Sequence, residues 1–133
     1  MKLYVDDLRK CPEGWTLART NTEAIRLLAS GHVDEAISID HDICVPEARN
    51  ISEPVRRRLR IGEETFMPVI FYLTLMKPED RPKKVTIHTA NPAAALRMQG
   101  LLKDAGIDSE YTEGHYNIDW DEIEGNNKSE GES

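Results

Sequence analysis

Three short apolar runs in this sequence each end in side chains that can do chemistry. The runs are residues 2–5, 36–39 and 85–87, followed by Asp6-Asp7, Asp40-His41-Asp42 and His88-Thr89. A buried strand of a parallel sheet reads as a continuous apolar run, which stops where the chain reaches charge. In open α/β sheets, ligands bind outside the carboxyl ends of such strands. We therefore expect these polar side chains to form one composite site at that edge.

The acidic residues of this edge predict a metal site. Magnesium and manganese prefer oxygen ligands, and closely packed carboxylates need a cation to offset their repulsion. We expect Asp6, Asp7 and Asp40 to hold Mg²⁺ or Mn²⁺, with Asp42 as a further ligand. The alternative is that the Asp6-Asp7 pair only starts a loop or caps a helix.

The two histidines of the same edge predict proton transfer. Histidine titrates near neutrality, so His41 and His88 can divide the roles of a base that deprotonates water and an acid that protonates a leaving group. Either histidine could instead form a hydrogen bond to an aspartate, and this alternative stays open for both.

Several residues near this edge are suited to bind phosphate. Thr89 offers a hydroxyl, and Asn91 with the helix start after Pro92 offers an anion site. Arg9 follows the first strand and lies within reach of a phosphate. Simple N-capping by Asn91 and an ion pair between Arg9 and a neighbouring aspartate are the alternatives.

A run of arginines interrupts the regular pattern. Residues 43–62 are rich in turn signals, and four arginines occupy the five positions 56–60. Arginine presents a fork of donors suited to phosphate, so Arg57 and Arg58 are candidate substrate ligands on a flap over the site. The alternative is a solvated surface loop.

Hydrophobic periodicity and turn residues divide the chain into strands and helices. Five strands are expected, over about 2–5, 15–20, 36–40, 84–88 and 109–112. Three helices are expected: the first from an N-cap at Asn21 or Thr22 to Gly31, the second over 63–76, and the third from an N-cap at Asn91 to Asp104. This order indicates a three-layer, flavodoxin-like α/β fold with a parallel five-stranded sheet of order 2-1-3-4-5. The first crossover is short, so its helix should be missing or reduced.

The acidic charge of the chain is concentrated at its C-terminal end. The chain has 24 acidic and 17 basic residues, and seven of the acids but one of the bases lie from Glu113 onward. This distribution argues against a broad basic face for nucleic acid. No apolar run approaches membrane-spanning length, so we expect a cytoplasmic protein with no membrane contact; no protein partner is indicated. We expect a domain over 1–124, with the arginine-rich insertion, and a disordered acidic tail over 125–133.

Three ordered motifs resemble those of the cyclic-phosphate-processing receiver-like family, a divergent relative of response-regulator receiver domains. They are Val-Asp-Asp-Leu-Arg at 5–9, Ile-Asp-His-Asp at 39–42 and Ile-His-Thr-Ala-Asn-Pro at 87–92. The resemblance implies a receiver-like fold that acts on cyclic phosphate ends of nucleotides or RNA. It also implies that Asp6 and Asp7 are the magnesium-holding acidic pair, that Asp40 is in the acceptor position and that Thr89 is the hydroxyl after the fourth strand.

Two departures from receivers shape the functional hypothesis. Receivers carry a lysine at the end of the fifth strand, where this chain has Tyr111-Thr112-Glu113, and they have no need of His41 or His88. We therefore expect a metal-dependent phosphoesterase that hydrolyses a cyclic phosphodiester. The alternatives are a non-enzymatic phosphoacceptor or phosphate-sensing module, with Asp40 taking the phosphoryl group, and a small interaction protein that uses its acidic tail.

Overall fold

A computed structural model describes residues 1–43 and 64–113 of the 133-residue chain. Arg57 and Arg58, the predicted phosphate ligands in the insertion, lie outside the described residues. The predicted acidic tail lies outside them as well. The division of the chain into a domain over 1–124 and a tail over 125–133 therefore stays a prediction.

Seven strands are present in the described part of the chain. They are β1 (Lys2–Val5), β2 (Thr16–Ala18), β3 (Ala36–Ile39), β4 (Asp42–Ile43), β5 (Glu64–Thr65), β6 (Lys84–His88) and β7 (Ser109–Thr112). Five of them form one parallel sheet in the order β2-β1-β3-β6-β7. Counted over these five strands, the predicted order 2-1-3-4-5 and the flavodoxin-like and receiver-like α/β fold are confirmed.

Three α-helices of the described residues connect these strands: α1 (Asn21–Ala29), α2 (Met67–Leu75) and α3 (Pro92–Asp104). Helix α2 packs against both α1 and α3, so all three lie on one face of the sheet. This arrangement follows from the strand order. The connections from β2 to β3, from β3 to β6 and from β6 to β7 all cross the sheet in the same direction, and right-handed crossovers in one direction place their helices on the same face. The connection from β1 to β2 moves the other way and contains no helix, as predicted.

The two faces of the sheet differ in chemistry. Alternate residues of the three central strands point to the helices and are buried in the core: Leu3, Val5, Ile37, Ile39, Val85 and Ile87. The residues between them point to the other face, where the ring of Tyr4 stacks on the ring of His88 with centroids 4.5 Å apart. Ser38 lies on the same face and contacts His88. A polar cluster therefore covers part of the face that carries no described helix.

Strands β4 and β5 form a separate antiparallel pair, in which Asp42 is opposite Thr65. The predicted helix over 63–76 was therefore wrong at its N-terminal end, because α2 begins only at Met67. The Phe66 N–H donates to the carbonyl of His41 at 2.8 Å, and the Met67 N–H donates to Thr65 Oγ1. Glu64 and Thr65, which the apolar periodicity assigned to the helix, instead form β5 and pair with β4.

The caps of the helices agree with the prediction in one case and differ in the other. Thr20, rather than Asn21 or Thr22, caps α1, because its Oγ1 accepts the Glu23 N–H at 3.1 Å. The side chain of Asn21 instead donates to the carbonyl of Thr65. For α3 the predicted cap is confirmed: Asn91 accepts a backbone N–H of the first turn, and a proline follows it.

The most apolar helix is α2, which has nine residues. At about 1.5 Å per residue it is about 14 Å long, roughly half of the hydrocarbon thickness of a bilayer. None of the described helices combines the length and the apolarity that crossing a membrane requires. The cytoplasmic location stays a prediction.

Candidate functional site

Asp6, Asp40 and His88 meet at the carboxyl edge of the sheet, as the sequence predicted. Strands β1, β3 and β6 are neighbours at the centre of the sheet, and each carries one of these residues at its end. The Asp6 N–H donates to the carbonyl of Ala18 at 3.1 Å, and the Asp40 N–H donates to the carbonyl of Val5 at 2.9 Å. These bonds continue the strand pairing up to the site, so the backbone under both carboxylates is fixed.

Three of the four predicted metal ligands form a compact acidic cluster. Asp6, Asp7 and Asp40 each place a carboxylate oxygen so that the three atoms lie within 4.8 Å of one another. Three oxygen donors at such distances are the set that a hard divalent cation takes, with the rest of its shell left for water or substrate. Asp42 is not part of this group: it belongs to β4, is exposed, and bonds His41 instead.

Among the described residues, Arg9 places positive charge next to the cluster. Its Nη1 lies 2.8 Å from Asp6 Oδ2 and 3.3 Å from Asp40 Oδ2. The Arg9 carbonyl accepts a hydrogen bond of 2.7 Å from Arg19 Nη1, which ties the loop after β1 to the start of α1. Of the two roles considered for Arg9, the ion pair with neighbouring aspartates is the one that the geometry shows.

The pKa values of Asp6 and Asp40 are driven apart. Burial alone would raise the pKa of Asp6, but hydrogen bonds from His88 and from the backbone and side chain of Arg9 lower it to about 2. Burial together with the charge of Asp6 raises the pKa of Asp40 to about 8, against the opposing effect of Arg9. The three gathered carboxylate oxygens are donors that a divalent cation takes, and its charge would offset their mutual repulsion.

Both ring nitrogens of His88 have partners. Nε2 lies 2.8 Å from Asp6 Oδ2, and Nδ1 lies 2.6 Å from Ser38 Oγ. Because an ionised carboxylate only accepts, Nε2 carries the proton, and the unprotonated Nδ1 of the neutral ring accepts from the Ser38 hydroxyl. The side chain is 4 % exposed, and Tyr4 covers one face of its ring. His88 is placed to hold Asp6, which is the alternative that the sequence had left open.

His41 forms a pair with Asp42 beside the acidic cluster. Its Nδ1 lies 2.7 Å from Asp42 Oδ1, and its backbone N–H donates to Asp40 Oδ1 at 2.8 Å. The hydrogen bond from His41 lowers the pKa of Asp42, so the carboxylate is ionised and Nδ1 carries the proton. In the neutral ring, Nε2 is then the acceptor, as a general base requires.

Thr89 and Asn91, the other predicted site residues after β6, both serve the start of α3. Thr89 Oγ1 accepts the Asn91 N–H at 3.1 Å, and Asn91 Oδ1 accepts the Ala94 N–H at 3.2 Å. The Thr89 side chain is buried, and its carbonyl accepts from the hydroxyl of Tyr111. Capping by Asn91 is therefore shown, whereas phosphate binding by either residue stays a prediction.

A groove begins at His41 and runs along α3. It has a volume of about 540 Å³ and is lined by His41, Thr65, Met67, Arg97, Gly100, Leu101 and Asp104. The last four follow an i, i+3, i+4, i+7 spacing, which places them on one face of the helix. The other lining residues are His41, which precedes β4, Thr65 of β5, and Met67, the first residue of α2.

Ser38 and Tyr4 were not singled out from the sequence. Ser38 is the one hydroxyl in the buried run of β3, and a buried hydroxyl needs a partner, so its position was a usable signal. The contact of Tyr4 with His88 had no such signal, because β3 separates their two strands and the ring of His88 reaches across it.

The sheet order and the acidic edge define a receiver-like α/β domain with a candidate metal centre. The sequence matches the family described as cyclic-phosphate processing receiver domain over residues 1–104, and the chain belongs to that family. The predicted resemblance is thereby confirmed. No curated protein and no solved structure matches the chain.

Proposed function

We propose that this protein is a metal-dependent phosphoesterase that hydrolyses cyclic phosphodiesters of nucleotides or RNA ends, a reaction suited to RNA repair or processing. One observation carries the proposal: Asp6, Asp7 and Asp40 gather their carboxylates within 4.8 Å, directly beside the His41–Asp42 pair. The family supports a phosphate-related substrate. The three gathered carboxylates and the acceptor nitrogen of His41 support a cation site and a general base, which together suit hydrolysis.

In the proposed reaction, His41 takes the proton of the attacking water. The water oxygen bonds to phosphorus, the bond from phosphorus to one ring oxygen of the cyclic ester breaks, and the water proton passes to His41 Nε2. The alkoxide that leaves takes a proton from solvent, and the product is a phosphate monoester. Asp42 stabilises the imidazolium that forms, because its carboxylate stays bonded to Nδ1–H.

The other site residues would bind the cation or orient the aspartates that bind it. Mg²⁺ or Mn²⁺ bound by the three aspartates would supply positive charge where negative charge develops on the phosphoryl oxygens. Arg9 bridges Asp6 and Asp40 and so limits how far the two carboxylates can separate. We assign His88 to orienting Asp6 rather than to proton transfer. Phosphate binding by Thr89 and Asn91 and by the arginines of the insertion belongs to the proposal.

The experiment that tests this proposal follows a 2′,3′-cyclic nucleotide by phosphorus NMR. The wild-type protein with Mg²⁺ should convert the cyclic signal to that of a monoester, and excess chelator should stop the conversion. His41→Gln should lose turnover by about 10²-fold or more, the usual scale of a lost general base. A wild-type protein that leaves the cyclic signal unchanged with either metal would contradict the proposal.

A receiver-type phosphoacceptor is the second candidate. It is favoured by the position of Asp40, which ends the third strand of the sheet beside Asp6 and Asp7. The carboxylate of Asp40 would attack the phosphorus of a small phosphodonor such as acetyl phosphate, the bond from phosphorus to the acetate oxygen would break, and acetate would leave while Asp40 carries an acyl phosphate. Stoichiometric labelling by acetyl phosphate that Asp40→Asn abolishes, without hydrolysis of the cyclic nucleotide, would favour this candidate over the phosphoesterase.

A further inference from the structure

We infer that the groove along α3 binds the nucleobase of the cyclic nucleotide, an inference that rests on the proposed function. The groove, defined above by its seven lining residues, begins at His41 and ends at Asp104. It would make the enzyme selective for cyclic phosphates that carry a nucleoside over cyclic phosphates that carry none.

The groove is continuous with the acidic cluster through His41. His41 is one of the residues that line the groove, and its backbone N–H donates to Asp40 at 2.8 Å. The His41 carbonyl accepts the Phe66 N–H, which fixes the start of α2 and the Met67 wall next to the same residue. The inference places the phosphate of the substrate at the aspartates and its base in this groove, with His41 between the two.

The lining has the chemistry of a site for a flat heterocycle. Met67 and Leu101 offer apolar side chains to the faces of a ring, and the guanidinium of Arg97 is planar and stacks on aromatic rings. The Asp104 carboxylate accepts hydrogen bonds from amino and imino groups, which nucleobases carry at their edges. The volume of about 540 Å³ lies within the range of about 300–1,000 Å³ typical of small-molecule sites.

Gly100 keeps the middle of the groove open. A Cβ atom built at Gly100 meets no atom within 4 Å, although glycine in a helix interior costs about 1 kcal/mol relative to alanine. A larger side chain at this position can therefore enter the groove without displacing the backbone. The position gives a way to fill the groove while the helix is retained.

The test compares two cyclic phosphates, adenosine 2′,3′-cyclic phosphate and glycerol 1,2-cyclic phosphate, which lacks a base. In Gly100→Phe, the ratio of kcat/KM for the nucleotide to kcat/KM for the base-free ester should fall at least tenfold. Leu101→Lys places a charge against the ring and should lower the ratio as well. Leu96→Phe is the matched control, since Leu96 is exposed on α3 outside the groove lining, and it should leave the ratio as in the wild type.

Two outcomes separate this inference from the proposed function. Wild-type hydrolysis of both esters with an unchanged ratio in folded Gly100→Phe would overturn the groove assignment alone. If the wild type hydrolyses neither ester, the proposed function fails, and the groove is tested by titrating adenosine 2′,3′-cyclic phosphate while the backbone amide signals of α3 are followed. Shifts at Gly100 and Leu101 that Gly100→Phe abolishes would support binding there, and the absence of shifts would overturn it.

Discussion

His88 shows how the neighbours of a histidine decide its role. Its Nε2 donates to Asp6 and its Nδ1 accepts from Ser38, so the neutral ring has neither a free donor nor a free acceptor for a substrate. His41 differs, because only the Nδ1 atom of its ring has a partner among the hydrogen bonds described above, and the residue lines the groove. In the proposed mechanism, two histidines with the same expected chemistry therefore take different roles: His88 orients a metal ligand and His41 accepts a proton.

We predict that His88→Ala weakens divalent metal binding. Loss of a partner that orients a metal ligand commonly costs about 10–100-fold in affinity, and Ser38→Ala should cost less because it acts on Asp6 only through His88. Titration with Mn²⁺, followed by the EPR signal of the free ion, measures the affinity. His41→Gln is the matched comparison, with an affinity close to that of the wild type. If His88→Ala binds Mn²⁺ with the affinity of the wild type but loses turnover, His88 acts in proton transfer instead.

The residues of the site could be predicted from the sequence, whereas their pairing could not. Asp6, Asp40 and His88 follow directly from the rule that strand ends meet at one edge. His88 forms a hydrogen bond with Asp6, and His41 forms one with Asp42. These partners depend on the directions of the side chains, which the pattern of residues along the sequence does not contain. The exclusion of Asp42 from the acidic cluster has the same origin, since Asp42 lies in β4, which pairs with β5 in a separate sheet.

At the scale of the elements, the start of α3 links stability to the site. Asn91 caps this helix, and the backbone N–H of Asn91 is held by Thr89, which follows β6 directly. The cap therefore fixes the path from the strand that carries His88 to the helix that lines the groove.

We predict that Asn91→Ala lowers the free energy of unfolding by about 1 kcal/mol, the usual cost of an N-cap. The Ala94 N–H would lose its acceptor, while the fold would be retained. Urea unfolding at neutral pH measures the change. Asn91→Asp keeps an acceptor oxygen at the cap, so its stability should stay near that of the wild type; equal losses in both variants would mean that the amide nitrogen of Asn91 matters instead.

Elements whose own sequence carries a strong signal were predicted, whereas elements whose positions depend on tertiary contacts were not. The parallel strands, the cap of α3 and the missing first helix follow from apolar runs, Pro92 and connection length. The β4–β5 pair could not be predicted, because two residues on each side carry no periodicity and their pairing is a tertiary contact. The shift of the α1 cap to Thr20 has a similar cause, since Asn21 is used to bind the carbonyl of Thr65.

At the scale of the whole molecule, buried Asp40 makes global stability depend on pH. Its pKa is raised to about 8 by burial and by Asp6, against an unfolded value of 3.8. Between these values the folded state binds the proton and the unfolded state does not, so this contribution is complete below about pH 4 and is lost as the pH rises through 8. The pKa of Asp6 is lowered to about 2, so the stability that Asp6 contributes depends on pH in the opposite direction. It is present at neutral pH and is lost only on acidification below pH 4.

We predict that the free energy of unfolding, measured in chelator, falls between pH 5 and pH 8 more steeply in the wild type than in Asp40→Asn. The difference in slope should approach about 1.4 kcal/mol per pH unit, the value for one proton. Urea unfolding at four pH values provides both curves. Parallel curves for the two proteins would show that Asp40 is ionised in the folded state across this range.

The bond between Asp6 and His88 joins residues 82 positions apart, and the bond between Ser38 and His88 spans 50. Closing such long loops costs entropy before the contacts give anything in return, so local helices can form well before the acidic cluster exists. A divalent cation that binds this cluster would bind the native state in preference to partly folded chains and would shift the folding equilibrium toward the native topology by mass action. The free energy of unfolding would then rise with the concentration of that cation.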